Sequence, residues 1–314
     1  MKLPELTAAY IDYKRSLGMR FNSDTSTLKS FCRTMGNVDL DEIDDQAVNA
    51  FLAGTGPITA YWHQKYAVLK SFYRFAIERG HTDRVPLPTL IPKRPVPLTP
   101  YIYSSAELQR LVAATEQLHN PNSPLQLLTF RTLLLLLYGS AMRIGEALSL
   151  TLADVDLPER LVTVRDAKFH KSRLVPIGPK LTQELAVYVD KRRVLPLPQE
   201  ENSAFIATRT GHGLSYHRAG ALFRRIRTAA GVCREPRARY QPRLHDIRHT
   251  AVVHRIVAWY QDGSNVQRML LPLSTYLGHV DIQSTQRYLT MTPELLNEAG
   301  HRFEHYAKWG IRHD

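Results

Sequence analysis

The chain has 314 residues, 44% of them hydrophobic and 22% charged, which excludes a disordered chain and gives length enough for two domains with separate cores. Forty-one Lys and Arg against 29 Asp and Glu leave a net charge of +12 and a pI near 9.7, pointing to a polyanionic partner. Cys32 and Cys233 are too few for a disulfide framework and lack metal-site spacing, so two packed thiols in a reducing compartment are expected. The N-terminus lacks a signal-peptide apolar core, and the greasiest run, residues 133–137, is too short to span a bilayer. These features predict a soluble, cytoplasmic protein with no membrane partner.

Residues 6–17, 25–35, 44–53 and 58–79 carry apolar side chains at helical spacing. In the last of these, Tyr61, Lys65, Leu69, Phe72, Tyr73 and Ala76 fall on successive turns and Gly80 supplies a stop. Residues 1–85 therefore read as a small all-helical domain. Pro86, Pro88, Pro92, Pro95, Pro97 and Pro100 then remove backbone donors at a density no helix or central strand tolerates, predicting an extended linker over residues 86–100.

Residues 101–314 form the second part. Ser104 or Ser105 can cap a helix with Glu107 in its first turn. A buried helix is expected over residues 125–138, stopped by Gly139 and Ser140 just before AMRIGEALSL. The runs LVTVRDA and RLVPIG read as a β-hairpin with Lys168, His170, Lys171 and Arg173 at or near its tip. FIATRTGHGLS suggests a further short strand and turn before a helix over residues 216–229. From His217 to Arg243 there are eight arginines and one acid, Glu235, a run that reads either as a solvated face or as a phosphate-contacting one. In the tail, Leu295, Leu296, Ala299, Phe303 and Tyr306 recur at helical spacing and predict a helix that docks on its own domain or on a neighbour's.

The chemistry-bearing residues gather in the last quarter. His245, Arg248 and His249 lie in HDIRHT, His279 in LGHV, and Tyr288, nine residues further, in STQRYLT. Together they can surround one phosphodiester with a nucleophile, a cationic clamp and proton-transfer groups. No Gly-rich loop followed by Lys-Ser or Lys-Thr signals nucleotide hydrolysis, and no acid cluster marks a two-metal site. His245 and His249 at i and i+4 have zinc-protease spacing, but Asp246 stands where a water-activating glutamate is required, so neither metal nor cofactor is expected.

Taken in order, AMRIGEALSLTLADVD, DAKFHKSRLVPIG, HDIRHT and LGHVDIQSTQRYLT resemble the site blocks of the tyrosine recombinase, or phage integrase, family over about residues 101–292. The resemblance implies a mainly α fold with a small antiparallel β-sheet in the catalytic domain. With a helical core-binding domain before it, that domain would close as a two-domain C-shaped clamp on double-stranded DNA. Carried over by residue, it implies a phosphate clamp of Arg143 and Arg248 and a nucleophile, Tyr288, that forms a 3′-phosphotyrosyl link. Lys168 would be the general acid for the leaving 5′ oxygen, with Lys171 as the alternative. His245 would exchange a proton with the tyrosine, and His279 would bond the scissile phosphate. Glu146 is expected as a structural or pairing acid and His249 as a structural residue hydrogen bonded within its helix. Tyr276 and Tyr306 are the competing tyrosines, expected in the core and the tail.

The same resemblance implies inverted-repeat core sites bound by dimers that synapse as tetramers, a nucleoid-associated location, and scope for hetero-assembly with related recombinases. The segment from Arg248 to His279 is longer than in compact Xer-type members, with the extra length expected in a connecting loop around residues 259–272. It points to integration, excision or transposition of a mobile element. Xer-type resolution of chromosome or plasmid dimers and type IB topoisomerase-like relaxation are the alternatives.

Overall fold

The computed structural model describes residues 1–19, 21–96, 98–123, 125–165, 172–235, 238, 240–290, 295 and 300. Lys168, His170, Lys171 and Tyr306 lie outside the described residues, as does most of the expected tail helix. The chain divides into two compact units, Met1–Leu98 and Thr99–Asp314.

The first unit packs four helices: α1 (Leu3–Ser16), α2 (Asn22–Met35), α3 (Asp45–Ala53) and α4 (Ala60–Glu78). Caps set their starts. Pro4 sits in the first turn of α1, Asp44 accepts from the Ala47 amide at 2.6 Å, and Thr59 accepts from the Tyr61 amide at 3.2 Å. The α4 stripe read from the sequence faces inward at Leu69, Phe72, Tyr73 and Ala76, which pack with Leu6, Tyr10, Leu28 and Phe31. Lys65 on that stripe is also buried, and its ammonium donates to the Phe51 carbonyl. Residues 83–104 contain no helix or strand among those described, as proline density demands.

The second unit is mainly helical, with one three-stranded antiparallel sheet. Its first helices are α5 (Ser105–Ala113), α6 (Gln126–Ser140) and α7 (Ile144–Ser149). Ser104, not Ser105, caps α5, in a reciprocal box with Glu107. Helix α6 is largely apolar because it lies between neighbours, packing on α10 (Asp246–Gln261) and on α8 (Pro179–Arg193), where Arg131 pairs with Glu184. The sheet runs β1 (Val155–Asp156), β2 (Leu161–Val164), β3 (Arg173–Pro176) in that order, with Val164 opposite Arg173 and Val162 opposite Val175. The expected strand in FIATRTGHGLS reduces to one isolated bridge, Ala207 with Gly213, with a second just before it joining Ala204 to Thr151.

Helices α9 (Tyr216–Ala229), α11 (Val266–Leu277) and α12 (Gln283–Gln286) complete the described unit. The connecting loop expected around residues 259–272 is largely helical: α10 runs on to Gln261, and α11 begins at Val266 and buries Val266, Leu270, Leu273 and Leu277 despite Pro272 within it. The packed-thiol expectation also needs correcting. Cys32 is half-buried and bonded to Thr7, whereas Cys233 is exposed. Among the described residues no helix is long and apolar enough to cross a membrane.

Candidate active site

The C-terminus of α11 organises the site. The last carbonyls of a helix lack intrahelical partners and carry the negative end of its dipole. Here Gly278, at φ +65°, closes a Schellman turn: its amide bonds the Thr275 carbonyl and the His279 amide bonds the Ser274 carbonyl, each at 3.0 Å. The next three carbonyls each accept from a different arginine. Arg173 Nε donates to Tyr276 at 3.0 Å, Arg248 Nη2 to Leu277 at 2.9 Å, and Arg143 Nη2 to Gly278 at 3.2 Å. Strand β3, helix α10 and the α7 N-cap are thereby gathered on one helix end, immediately before His279.

Arg143 reaches this point because the chain turns sharply after α6. Ala141 adopts the left-handed region at φ 49°, and Arg143 then serves as N-cap of α7. Its side chain remains 34% exposed. Arg248, by contrast, is 3% exposed, held by the Ala141 and Leu277 carbonyls at 2.7 and 2.9 Å.

Glu146 is the pairing acid. Its Oε1 accepts from Arg143 Nη1 at 2.8 Å and Arg173 Nη1 at 3.1 Å, while Oε2 accepts from the Arg143 amide and Arg173 Nη2, both at 2.8 Å. Burial by itself would raise the Glu146 pKa. The two arginines outweigh it and hold the carboxyl at about 2.

His279 lies 3.1 Å from Arg248 Nη2 through Nε2 and 2.7 Å from Thr285 Oγ1 through Nδ1. A guanidinium has only donors, so Nε2 must be the bare nitrogen and Nδ1–H donates to Thr285. Burial, then the charges of Arg248 and Arg143, push the His279 pKa down to about 4, consistent with a neutral ring. Tyr288 is 2% exposed and stacks on His279 at 6.2 Å with an interplanar angle of 4°. His249 also packs on Tyr288, with ring centroids 5.4 Å apart and planes tilted by 41°.

His245, at the start of α10, meets His249 edge-on at 5.2 Å, and burial followed by Arg248 lowers its pKa. His249 differs from expectation: its Nδ1 is buried without a hydrogen-bond partner, and its ring packs against those of Tyr288 and His245. Burial, with His245 next, lowers its pKa to about 4.

Arg143, His245, Arg248, His279 and Tyr288 thus come together from four separate segments, while Lys168 lies outside the described residues. Tyr276 is placed elsewhere, half-buried against both main clusters of the unit with its hydroxyl on the Pro176 carbonyl at 3.3 Å. Among the described residues no group of His, Cys, Asp and Glu could hold a metal.

The arginine run divides. Among the described members, Arg218, Arg224 and Arg225 on α9 are exposed, Arg227 and Arg234 are half-buried on the Pro242 and Thr99 carbonyls, and Arg243 is exposed but paired with Asp246. Sequence reasoning passed over Arg173 as a member of the site. One signal was available: β-strand alternation places it on the face of Val175, which is fully buried, and an inward-facing arginine needs a partner.

The chain resembles known proteins along nearly its whole length. It is 32% identical over 306 residues to the putative integrase/recombinase y4rB of Sinorhizobium fredii, covering 96% of each chain. It is 27% identical over 284 residues to the tyrosine recombinase XerD of Caulobacter vibrioides, covering 88% of this chain and 86% of that one. In fold it matches the Tn1549 transposon integrase, solved in complex with transposon right end DNA, with a TM-score of 0.69 at 15% identity over 98% of this chain and 100% of that one. Residues 103–294, which hold the α11 terminus and every arginine bound to it, match the phage integrase family. The protein therefore belongs to that family, the tyrosine recombinases, whose members are DNA strand-exchanging enzymes.

Proposed function

We propose that this chain is a site-specific recombinase that cuts and rejoins DNA through a 3′-phosphotyrosyl intermediate on Tyr288. The observation that carries the reading is the stack of Tyr288 on His279, beside Arg248, with Arg143 bonded to the same helix end. Arg143 and Arg248 would grip the non-bridging oxygens through planar forks of donors, which a lysine could not match. Arg248 fits this role because the contacts holding it are neutral, leaving its buried charge for an incoming anion.

Tyr288 would attack phosphorus while its proton passes to His245, a half-buried ring held neutral at pH 7. Lys168, leading from β2 toward β3, would protonate the departing 5′ oxygen. His279 would donate to the phosphate once DNA draws Arg248 away and the ring proton shifts to Nε2, with the Thr285 hydroxyl then donating to Nδ1. Tyr288 is buried, so DNA has to enter this contact or turn the side chain out. The phosphoester energy stays in the tyrosyl link, so a second 5′ hydroxyl reverses the step without ATP.

The helical unit Met1–Leu98 would act as the core-binding domain and the exposed α9 arginines as phosphate contacts, on inverted-repeat DNA bound by dimers that pair as tetramers. Integration, excision or transposition of a mobile element is favoured by the likeness to a putative integrase/recombinase and by the fold match to a transposon integrase. Likeness to XerD keeps dimer resolution as the second reading.

The test is a nicked suicide substrate that traps the adduct. Wild-type protein forms a denaturant-stable DNA link and Tyr288→Phe does not. Retention of the link in Tyr288→Phe, with loss in Tyr276→Phe or Tyr306→Phe, refutes the assignment.

A further inference from the structure

Arg173 is 11% exposed and makes a fork-to-fork pair with Glu146, while its Nε holds the Tyr276 carbonyl. The backbone is shaped around it. A Cβ on Gly278 would stand 2.8 Å from Arg173 Nη1, so the glycine admits the guanidinium. Arg173 also occupies one side of a carboxylate whose other side faces Arg143.

Consider that carboxylate without Arg173. Both Glu146 oxygens lose their Arg173 donors, so Oε2, which keeps the Arg143 amide, can accept a second Arg143 guanidinium N–H beside the Nη1 bond to Oε1, the bidentate geometry a guanidinium prefers. Arg143 then leaves the Gly278 carbonyl, and its charge is neutralised by the acid beside it. With Arg173 present, one carboxylate is shared between two guanidiniums, and the cluster keeps a net positive charge at the end where Arg143 is still 34% exposed.

We propose that Arg173 is a positioning residue for strand cleavage: it occupies Glu146 so that the charge and outer N–H groups of Arg143 stay available to the scissile phosphate. The inference rests on the reading of Arg143 as part of the phosphate clamp. Arg173 does not itself touch the reacting atoms. It acts through Glu146, and its effect depends on the negative charge there.

That dependence supplies the test. Single-turnover adduct formation on the suicide substrate is measured with the full chain at saturating protein, for wild type, Arg173→Met, Arg173→Lys, Glu146→Gln and the Arg173→Met/Glu146→Gln double variant, with folding checked by circular dichroism. Arg173→Met is expected to slow cleavage by about 10- to 100-fold, the loss associated with one or two hydrogen bonds to a charged group. DNA affinity should stay within about threefold, since the phosphates outside the site supply most of it. Arg173→Lys should fall between, because an ammonium keeps the charge but cannot span both oxygens. The double variant should cleave at least about tenfold faster than Arg173→Met, because with the acid neutral nothing captures Arg143. A purely structural arginine gives the opposite result, since a second loss in the same network only weakens the fold further. Cleavage by Arg173→Met within about threefold of wild type, or no recovery in the double variant, overturns the inference while leaving the proposed function intact. A wild-type protein that forms no adduct sinks both.

Discussion

The Glu146→Gln substitution probes the most heavily bonded acid in the site. Its carboxylate accepts four hydrogen bonds and is 10% exposed, and its pKa stands at about 2 against an ordinary 4.5. That difference corresponds to about 3 kcal/mol of folding stability at neutral pH. The sign follows from the depression: the contribution is complete above 4.5 and disappears as pH falls through 2. An amide keeps one acceptor oxygen but turns an NH2 group toward guanidinium donors, so at pH 7 the E146Q variant should lose about 3 kcal/mol. In urea, with a slope of about 2 kcal/mol per molar, the midpoint would move down by about 1.5 M. The assay is equilibrium unfolding of the full chain by circular dichroism at pH 7, 4.5 and 3.5. Below pH 4.5 the gap to wild type should shrink by about 1.4 kcal/mol per pH unit. Equal stability at pH 7, or a gap that stays constant down to pH 3.5, would show that the arginines do not hold this carboxyl as the contacts indicate.

Two further outcomes concern the same helix end. His249 and His279 are each held near a pKa of about 4 against an ordinary 6.5, so the stability they confer by staying neutral is present above 6.5 and lost as pH falls toward 4. Unfolding free energy should therefore decline over that window, and His279→Asn should flatten the decline; an unchanged slope argues against a buried neutral ring. Gly278→Ala should cut adduct formation by about tenfold or more, because Cβ would meet both a left-handed backbone and the Arg173 guanidinium. Wild-type cleavage by that variant would show that neither contact matters to the chemistry.

The amino-acid sequence by itself determined the features written in short spacings. Ser104 with Glu107 specifies a cap, Gly80 a helix stop, and the proline run an interval without helix or strand. Alternation in LVTV and RLVP specifies the two strands of a hairpin, and the ordered strings around Arg143, Arg248 and Tyr288 specify the family. Local patterns are legible because a cap or a strand depends on neighbours a few residues away.

What the tertiary structure decided is the set of partners that have no letter of their own. The carbonyls of Tyr276, Leu277 and Gly278 belong to the backbone, and no residue code announces that three arginines from three segments will end there. Arg173 therefore looked like one more basic residue near a hairpin tip until the fold turned it inward onto Glu146. The unpartnered Nδ1 of His249 beside Tyr288 and the docking of Arg227 and Arg234 on the Pro242 and Thr99 carbonyls have the same origin. So does the α11 segment: an apolar stripe interrupted by Pro272 reads as a loop until α10 and β3 supply the surfaces that bury it. In each case the deciding contacts join residues far apart in sequence. Burial selects among the conformations that local preference leaves open.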